Sequence, residues 1–146
     1  MLVKPLSKLT ELITEWEGYR RFVYEDHLGY ETVGIGRCIA KGVGAGISQF
    51  EAEWLLARDL ERVEEELSDS FDWFDSLDQV RKDALKSMCF QMGLPNLKGF
   101  KNALKAMAVN DFSNARLHFL KSKWARQTPG RALSTCDMIE TGTYPP

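Results

Sequence analysis

The sequence predicts an α+β fold, with a small sheet near the N-terminus and helices through the remainder. Three observations carry that prediction. Aromatic and β-branched residues crowd one stretch, Arg21 to Ala40. Apolar residues step by three or four through almost all of the rest. The two patterns are segregated rather than alternating, which separates α+β from α/β. A chain of 146 residues, 44% hydrophobic and 27% charged, is one domain of modest size that buries a core without disulfides.

Taken in chain order, Leu9, Leu12, Ile13 and Trp16 share one face of a short amphipathic helix. Gly18 can take the backbone conformation that ends it, which puts Glu17 at or beside the helix C-terminus. Phe22, Val23 and Tyr24, then Tyr30, Thr32, Val33 and Ile35, are the arms of an antiparallel sheet of two or three short strands. His27-Leu28-Gly29 supplies the turn, Gly34 and Gly36 interrupt the second arm, and Gly42, Gly44 and Gly46 mark a flexible loop. Ser48-Gln49-Phe50-Glu51 has the form of a capping box. Behind it Phe50, Trp54, Ala57, Leu60, Val63 and Leu67 predict a helix of about 20 residues, over 48–68. A second box, Ser76-Leu77-Asp78-Gln79, opens a helix with Val80, Ala84, Leu85 and Met88 inward, closed by Gly93 and Pro95. Short helices follow at about 98–108, 112–120, 122–126 and 130–139, the last introduced by Thr128-Pro129. The expected organisation is a single domain over 1–146. It has a sheet lobe of about 15–47, a connecting helix of about 48–68, and a helical lobe of about 71–146 that also takes the N-terminal helix. A cleft between unequal lobes is a natural place for a ligand.

The longest uninterrupted apolar runs, Trp54 to Ala57 and Ala106 to Val109, are four residues each. A membrane helix needs about 20 and a signal-peptide core about 7–15. The expectation is therefore a protein made in a reducing cytoplasm, with no export signal and no stable membrane association. Cys38, Cys89 and Cys136 are odd in number, widely spaced and without C-x-x-C, which supports neither a disulfide framework nor a zinc site. His27 and His118 have no acid or cysteine at ligand spacing, and no helix directly follows Gly34-x-Gly36 to cradle a phosphate. No metal and no cofactor is expected.

The net charge of −2 hides an asymmetry. Residues 1–70 carry 8 basic against 14 acidic side chains, and residues 71–146 carry 11 against 7. A basic half points to an anionic partner, or else to attraction between the two halves of the chain. The excess is too small for a nucleic-acid footprint.

Glu17, Asp26 and Thr32 are the residues that point to chemistry. The partial negative charge of a helix C-terminus discourages a second charge at Glu17, whereas Asp26, beside a polar turn, stays ionised. Two carboxyls in unlike environments are what a glycosidase needs, one as acid and the other as base or stabiliser. By itself such a pair is common. The surrounding string is not: Glu17-Gly18-Tyr19-Arg20, then Tyr24-Glu25-Asp26, then Gly29-Tyr30-Glu31-Thr32-Val33-Gly34-Ile35-Gly36. It closely resembles the active-site hairpin of phage-type lysozymes, glycoside hydrolase family 24. Further likenesses to the lysozymes of T-even phages run in order along the chain: Asp75 to Arg81, Phe90 to Gly93, Gly99 to Asn102, Lys121 to Trp124, Gln127 to Ala132 and Thr141 to Thr143.

The resemblance implies a lysozyme-like fold and an endolysin that hydrolyses the β-1,4 bond between N-acetylmuramic acid and N-acetylglucosamine of bacterial peptidoglycan. Glu17 would protonate the leaving oxygen, Asp26 would support the attacking water or the oxocarbenium charge, and Thr32 would help hold that water, with inversion at the anomeric carbon. Gln91, Phe100 and Asn102 fall on positions that bind saccharide, and Arg131 on one that pairs with the catalytic Glu. Trp124 falls on a core aromatic. Arg37 stands where the T-even enzymes carry a His paired with an Asp, which implies an Arg37–Asp59 ion pair here. The implied protein is a monomer whose partner is peptidoglycan, not nucleic acid, held in the host cytoplasm until it is released to the wall. The segment 38–47 is shorter than in the family, and the final helical residues are missing. A lytic transglycosylase and an inactive wall-binding module are the competing readings. The presence of Asp26 and Thr32 disfavours both.

Overall fold

The computed structural model describes residues 7–146, so the expectations for the first six residues lie outside it. The chain divides into two compact units, Met1–Trp54 and Leu55–Pro146.

In the first unit, α1 (Lys8–Glu17) starts where the Ser7 hydroxyl accepts the Thr10 N–H at 3.1 Å. It stops at Gly18, whose N–H reaches the Thr14 carbonyl and whose φ of 73° and ψ of 161° send the chain straight into the sheet. That conformation is open to glycine and strained for a residue with a Cβ. The apolar face is present as expected, and Leu9, Ile13 and Trp16 on it are solvent-exposed. Strands β1 (Arg20–Glu25), β2 (Glu31–Gly34) and β3 (Arg37–Cys38) form an antiparallel sheet in the order 1-2-3. Thr32 lies opposite Tyr24 on one side and Cys38 on the other. It is buried on the central strand, only 3% exposed.

Helix α2 (Gln49–Ser70) begins with the expected capping box. The Ser48 hydroxyl accepts the Glu51 N–H, and the Glu51 carboxylate accepts the Ser48 N–H, both at 3.1 Å. Its expected apolar stripe is covered only in the second half. Val63 and Leu67 are buried, whereas Phe50, Trp54 and Ala57 are exposed. Periodicity marks which face of a helix is apolar, but coverage depends on what packs there.

The second unit holds the core. Phe74, Leu85, Met88, Leu97, Met107, Phe119 and Ile139 are fully buried together with Val63 and Leu67 of α2. These come from a 3-10 turn (Phe74–Ser76), α3 (Gln79–Met92), α4 (Leu94–Lys98), α5 (Lys101–Ala108), α6 (Phe112–Leu120) and α8 (Pro129–Thr141); α7 (Lys123–Gln127) adds Trp124. Two boundaries correct the expectation. Helix α3 is capped by Asp78, not Ser76: the Asp78 carboxylate accepts the Arg81 N–H at 3.2 Å, while the Ser76 hydroxyl donates to the Trp73 carbonyl. Leu77, between the two, is buried with an extended backbone (ψ 152°), so it cannot be the first helical residue behind a Ser76 cap. The helix expected over 98–108 begins three residues later, as α5, and a short helix that was not expected, α4, precedes it. Gly93 ends α3 at φ 82°, Pro95 sits in the first turn of α4, and the chain breaks again at Gly99 and Phe100 before α5.

Candidate active site

Glu17, Asp26 and Thr32 all belong to the first unit, and different local devices hold them. Glu17 is the last residue of α1 and is exposed. Its carboxyl rests on the Gly36 backbone so closely that a Cβ at Gly36 would lie 2.8 Å from Oε2 and 2.9 Å from Cδ. Gly36 also has φ +72°. Glycine is needed there twice over, for conformation and for space.

Asp26 follows β1 and closes the hairpin turn. Its Oδ1 accepts the N–H groups of Leu28 and Tyr30, each at 2.9 Å, and its own N–H donates to the Tyr30 carbonyl at 2.9 Å. The Tyr30 donor above all, helped by Leu28, holds the carboxyl below the ordinary aspartate value against the desolvation that would raise it. The side chain is therefore a carboxylate near neutral pH. The buried Thr32 hydroxyl donates to the Tyr30 carbonyl at 2.9 Å, which leaves its lone pairs as acceptors. Tyr30 thus contributes backbone groups to both neighbours, a role invisible in its side chain.

Arg37 pairs with Glu51, Nη2 to Oε2 at 3.0 Å, and donates from Nη1 to the Gly46 carbonyl at 3.1 Å. The expected Arg37–Asp59 pair is thereby corrected, since the ion pair of Asp59 is with Arg62 at 3.8 Å. The capping box brings Glu51 back over the helix start, within reach of β3, whereas Asp59 lies two turns further along α2. Glu51 was legible as a cap but not as this partner.

In the second unit, Gln91 accepts the Trp124 indole N–H at 2.9 Å. Gln91, Phe100, Lys123 and Trp124 line a groove of about 480 Å³. Phe100 and Asn102 line another of about 340 Å³ with His118 and Lys121. Phe100 is common to both and packs against Phe119 and edge-on to Trp124, at ring separations of 5.3 and 6.3 Å. Trp124 is only 8% exposed, as a core aromatic should be. Arg131 donates to the carbonyl and hydroxyl of Ser87, at 3.1 and 3.0 Å. Among the described residues no cluster of ligating side chains suits a metal.

The first unit thus holds an acid at a helix end, a carboxylate kept charged by backbone donors and a buried acceptor hydroxyl, the residue types that acid–base hydrolysis uses. The phage lysozyme family profile matches residues 14–135, the segment that contains all three. The chain belongs to the phage lysozyme family. It is 28% identical to a probable T4-type lysozyme 1 of Dictyostelium discoideum over 94% of this chain and 96% of that protein. It is 30% identical to an endolysin of Acyrthosiphon pisum secondary endosymbiont phage 1, over 79% of this chain and 75% of the relative. It is also 30% identical to the pre-baseplate central spike protein Gp5 of Enterobacteria phage T4, over 94% of this chain but 28% of that longer protein. The protein is thus a lysozyme-type glycoside hydrolase of α+β fold, and the substrate class of such enzymes is peptidoglycan. No helix among the described residues is long and apolar enough to cross a membrane.

Proposed function

We propose that the protein is an endolysin that cleaves the β-1,4 bond between N-acetylmuramic acid and N-acetylglucosamine and so lyses the host cell. In this reading Glu17 donates a proton to the leaving oxygen. Asp26, as carboxylate, takes up the proton of the attacking water or offsets the developing oxocarbenium charge. Thr32 accepts a hydrogen bond from that water and orients it. The reaction inverts the anomeric centre, which requires carboxyls roughly 6.5–9.5 Å apart with the water between them. Gln91, Phe100 and Asn102 contact saccharide, Phe100 through its apolar face and the other two through amides. Arg131 is a supporting residue for the acid, as the family pattern implies. The protein works as a monomer without cofactor, stays in the host cytoplasm until released to the wall, and uses the basic excess of residues 71–146 to hold an anionic surface.

The observation that carries the reading is the hairpin turn at Asp26. Two backbone N–H groups keep its carboxyl charged in the same unit where Glu17, the proposed acid, ends α1 with its carboxyl against Gly36. The test is clearing of permeabilised cells by the purified protein, with mass spectrometry of the released muropeptides. Hydrated reducing ends are expected. Anhydro products would replace the reading with a transglycosylase, and failure of the folded protein to clear cells would replace it with a binding module. The likeness to a central spike protein favours a second reading, in which the enzyme travels in the virion. Immunoblots of purified particles separate the two.

A further inference from the structure

The first unit contains a clamp that ends on the backbone beneath Glu17. It starts at the capping box of α2, where Ser48 and Glu51 exchange two hydrogen bonds of 3.1 Å. The same Glu51 carboxylate holds the Arg37 guanidinium at 3.0 Å. A second arm of that guanidinium holds the Gly46 carbonyl at 3.1 Å. The glycine loop in turn grips β3. The Gly46 N–H donates to the Cys38 carbonyl at 3.3 Å, and Gly44 lies so close that a Cβ there would meet that carbonyl oxygen at 2.5 Å and the Cys38 sulfur at 2.6 Å. Arg37 is therefore fixed from its side chain and from its neighbour's backbone. The residue before it is Gly36, the surface on which the Glu17 carboxyl rests.

We infer that Arg37 and Glu51 are positioning residues for Glu17: their ion pair sets the height and tilt of the Gly36 peptide, and that peptide sets where the acid's oxygen points. Neither touches substrate. Arginine suits the task because its planar fork serves two acceptors at once and keeps its charge at every working pH. The side chains are only partly shielded, 43% and 39% exposed, so the pair adds little to stability. Its effect belongs in kcat, where misplacement of a reacting group by an ångström can cost up to about a hundredfold.

This inference rests on Glu17 being the acid. The test measures kcat and KM per folded molecule, on soluble peptidoglycan fragments, for Arg37→Met, Glu51→Gln, their double variant and Arg37→Lys. Arg37→Met is expected to lower kcat about tenfold with KM within about twofold, the pattern of a lost transition-state interaction. Glu51→Gln should do the same more weakly, and the double variant should lose no more than the worse single one. Lysine, which reaches one acceptor but not both, should restore part of kcat. Gly36→Ala, which places a methyl group against the acid, should lose kcat more heavily than Arg37→Met. Unchanged kcat in folded Arg37→Met overturns the inference, as does full additivity in the double variant. Glu17→Gln distinguishes the two levels. If it is inactive while Arg37→Met is normal, only the positioning fails; if it is fully active, the reading of Glu17 as acid fails and the positioning with it.

Discussion

The two units of this lysozyme are built on different physical principles. Leu55–Pro146 encloses an apolar core in which Phe74, Leu85, Met107, Phe119 and Ile139 have no exposed surface beyond 0%. In Met1–Trp54, Thr32 is the one buried residue among those described. What holds the latter is short-range polar geometry: an Asp turn, a capping box, an arginine fork and glycines at positive φ. The core and the proposed catalytic acid can thus be probed apart. A substitution in the core of the second unit should register as lost stability, and one at Glu17 as lost rate.

The largest effect that would break this contrast is in the core. Phe119→Ala removes a fully buried ring in contact with Phe100 and should cost about 3–5 kcal/mol in urea unfolding. Phe22→Ala, at a ring 75% exposed, should stay within about 0.5 kcal/mol. Similar costs at both sites would show that the first unit has a core of its own. Next comes Glu17→Gln, which keeps the shape of the side chain and removes the proton donor. Loss of at least about a hundredfold in reducing-end release from purified sacculi is expected, with unfolding unchanged. Near-native turnover would remove Glu17 as acid.

Asp26 sharpens the comparison through pH. Its native carboxyl titrates below the ordinary aspartate value because Tyr30 and Leu28 donate to it. A depressed native value means that the charged turn contributes its full stability above the unfolded pKa of about 3.9 and loses it as pH falls through the lower native value. Asparagine retains an oxygen for both N–H groups but not the charge. Asp26→Asn should therefore fold, be less stable than wild type near neutrality, approach it at low pH, and be severely impaired in hydrolysis at every pH. Unfolding curves and rates over an acid pH series check each part; a stability gap that widens toward low pH would reverse the sign.

The smallest effect is chemical access. Burial raises the thiol pKa of Cys89 and pushes that of Cys136 up to about 12, whereas Cys38 in the first unit is only partly covered. An aromatic disulfide reagent should label one thiol per native molecule, at Cys38, with the other two reacting only on unfolding. Mass spectrometry of labelled peptides identifies the site. Rapid labelling at Cys136 would mean that the second unit opens locally.

Much of the hairpin that carries Asp26 and Thr32 was legible because its causes are local. A helix end, a turn and a strand lie within one short stretch, and each residue type answers to a backbone need within a few positions. The capping box at Ser48 and Glu51 was legible for the same reason. Other features were not. Ser76 and Asp78 both offer a capping oxygen, and the extended backbone of Leu77 leaves Asp78 as the cap. The resemblance implied Asp59 as the partner of Arg37, whereas the first turn of α2 supplies Glu51 instead. Residues Phe50, Trp54 and Ala57 repeat at the right spacing but are not covered.

The sequence by itself determined the α+β class, the positions of most helices, the three-residue constellation of Glu17, Asp26 and Thr32, and the resemblance that placed it among lysozymes. These depend on local propensity and spacing, which the linear order contains. Only the tertiary structure decided that Gly36 lies under the Glu17 carboxyl, that Tyr30 supplies backbone groups to both Asp26 and Thr32, and that Arg37 is tied to Glu51 and Gly46. Those contacts depend on distances between segments and on the direction of single N–H and C=O bonds. Hydrophobic and turn patterns do not encode such distances; they emerge once the sheet has its register and α2 its first turn.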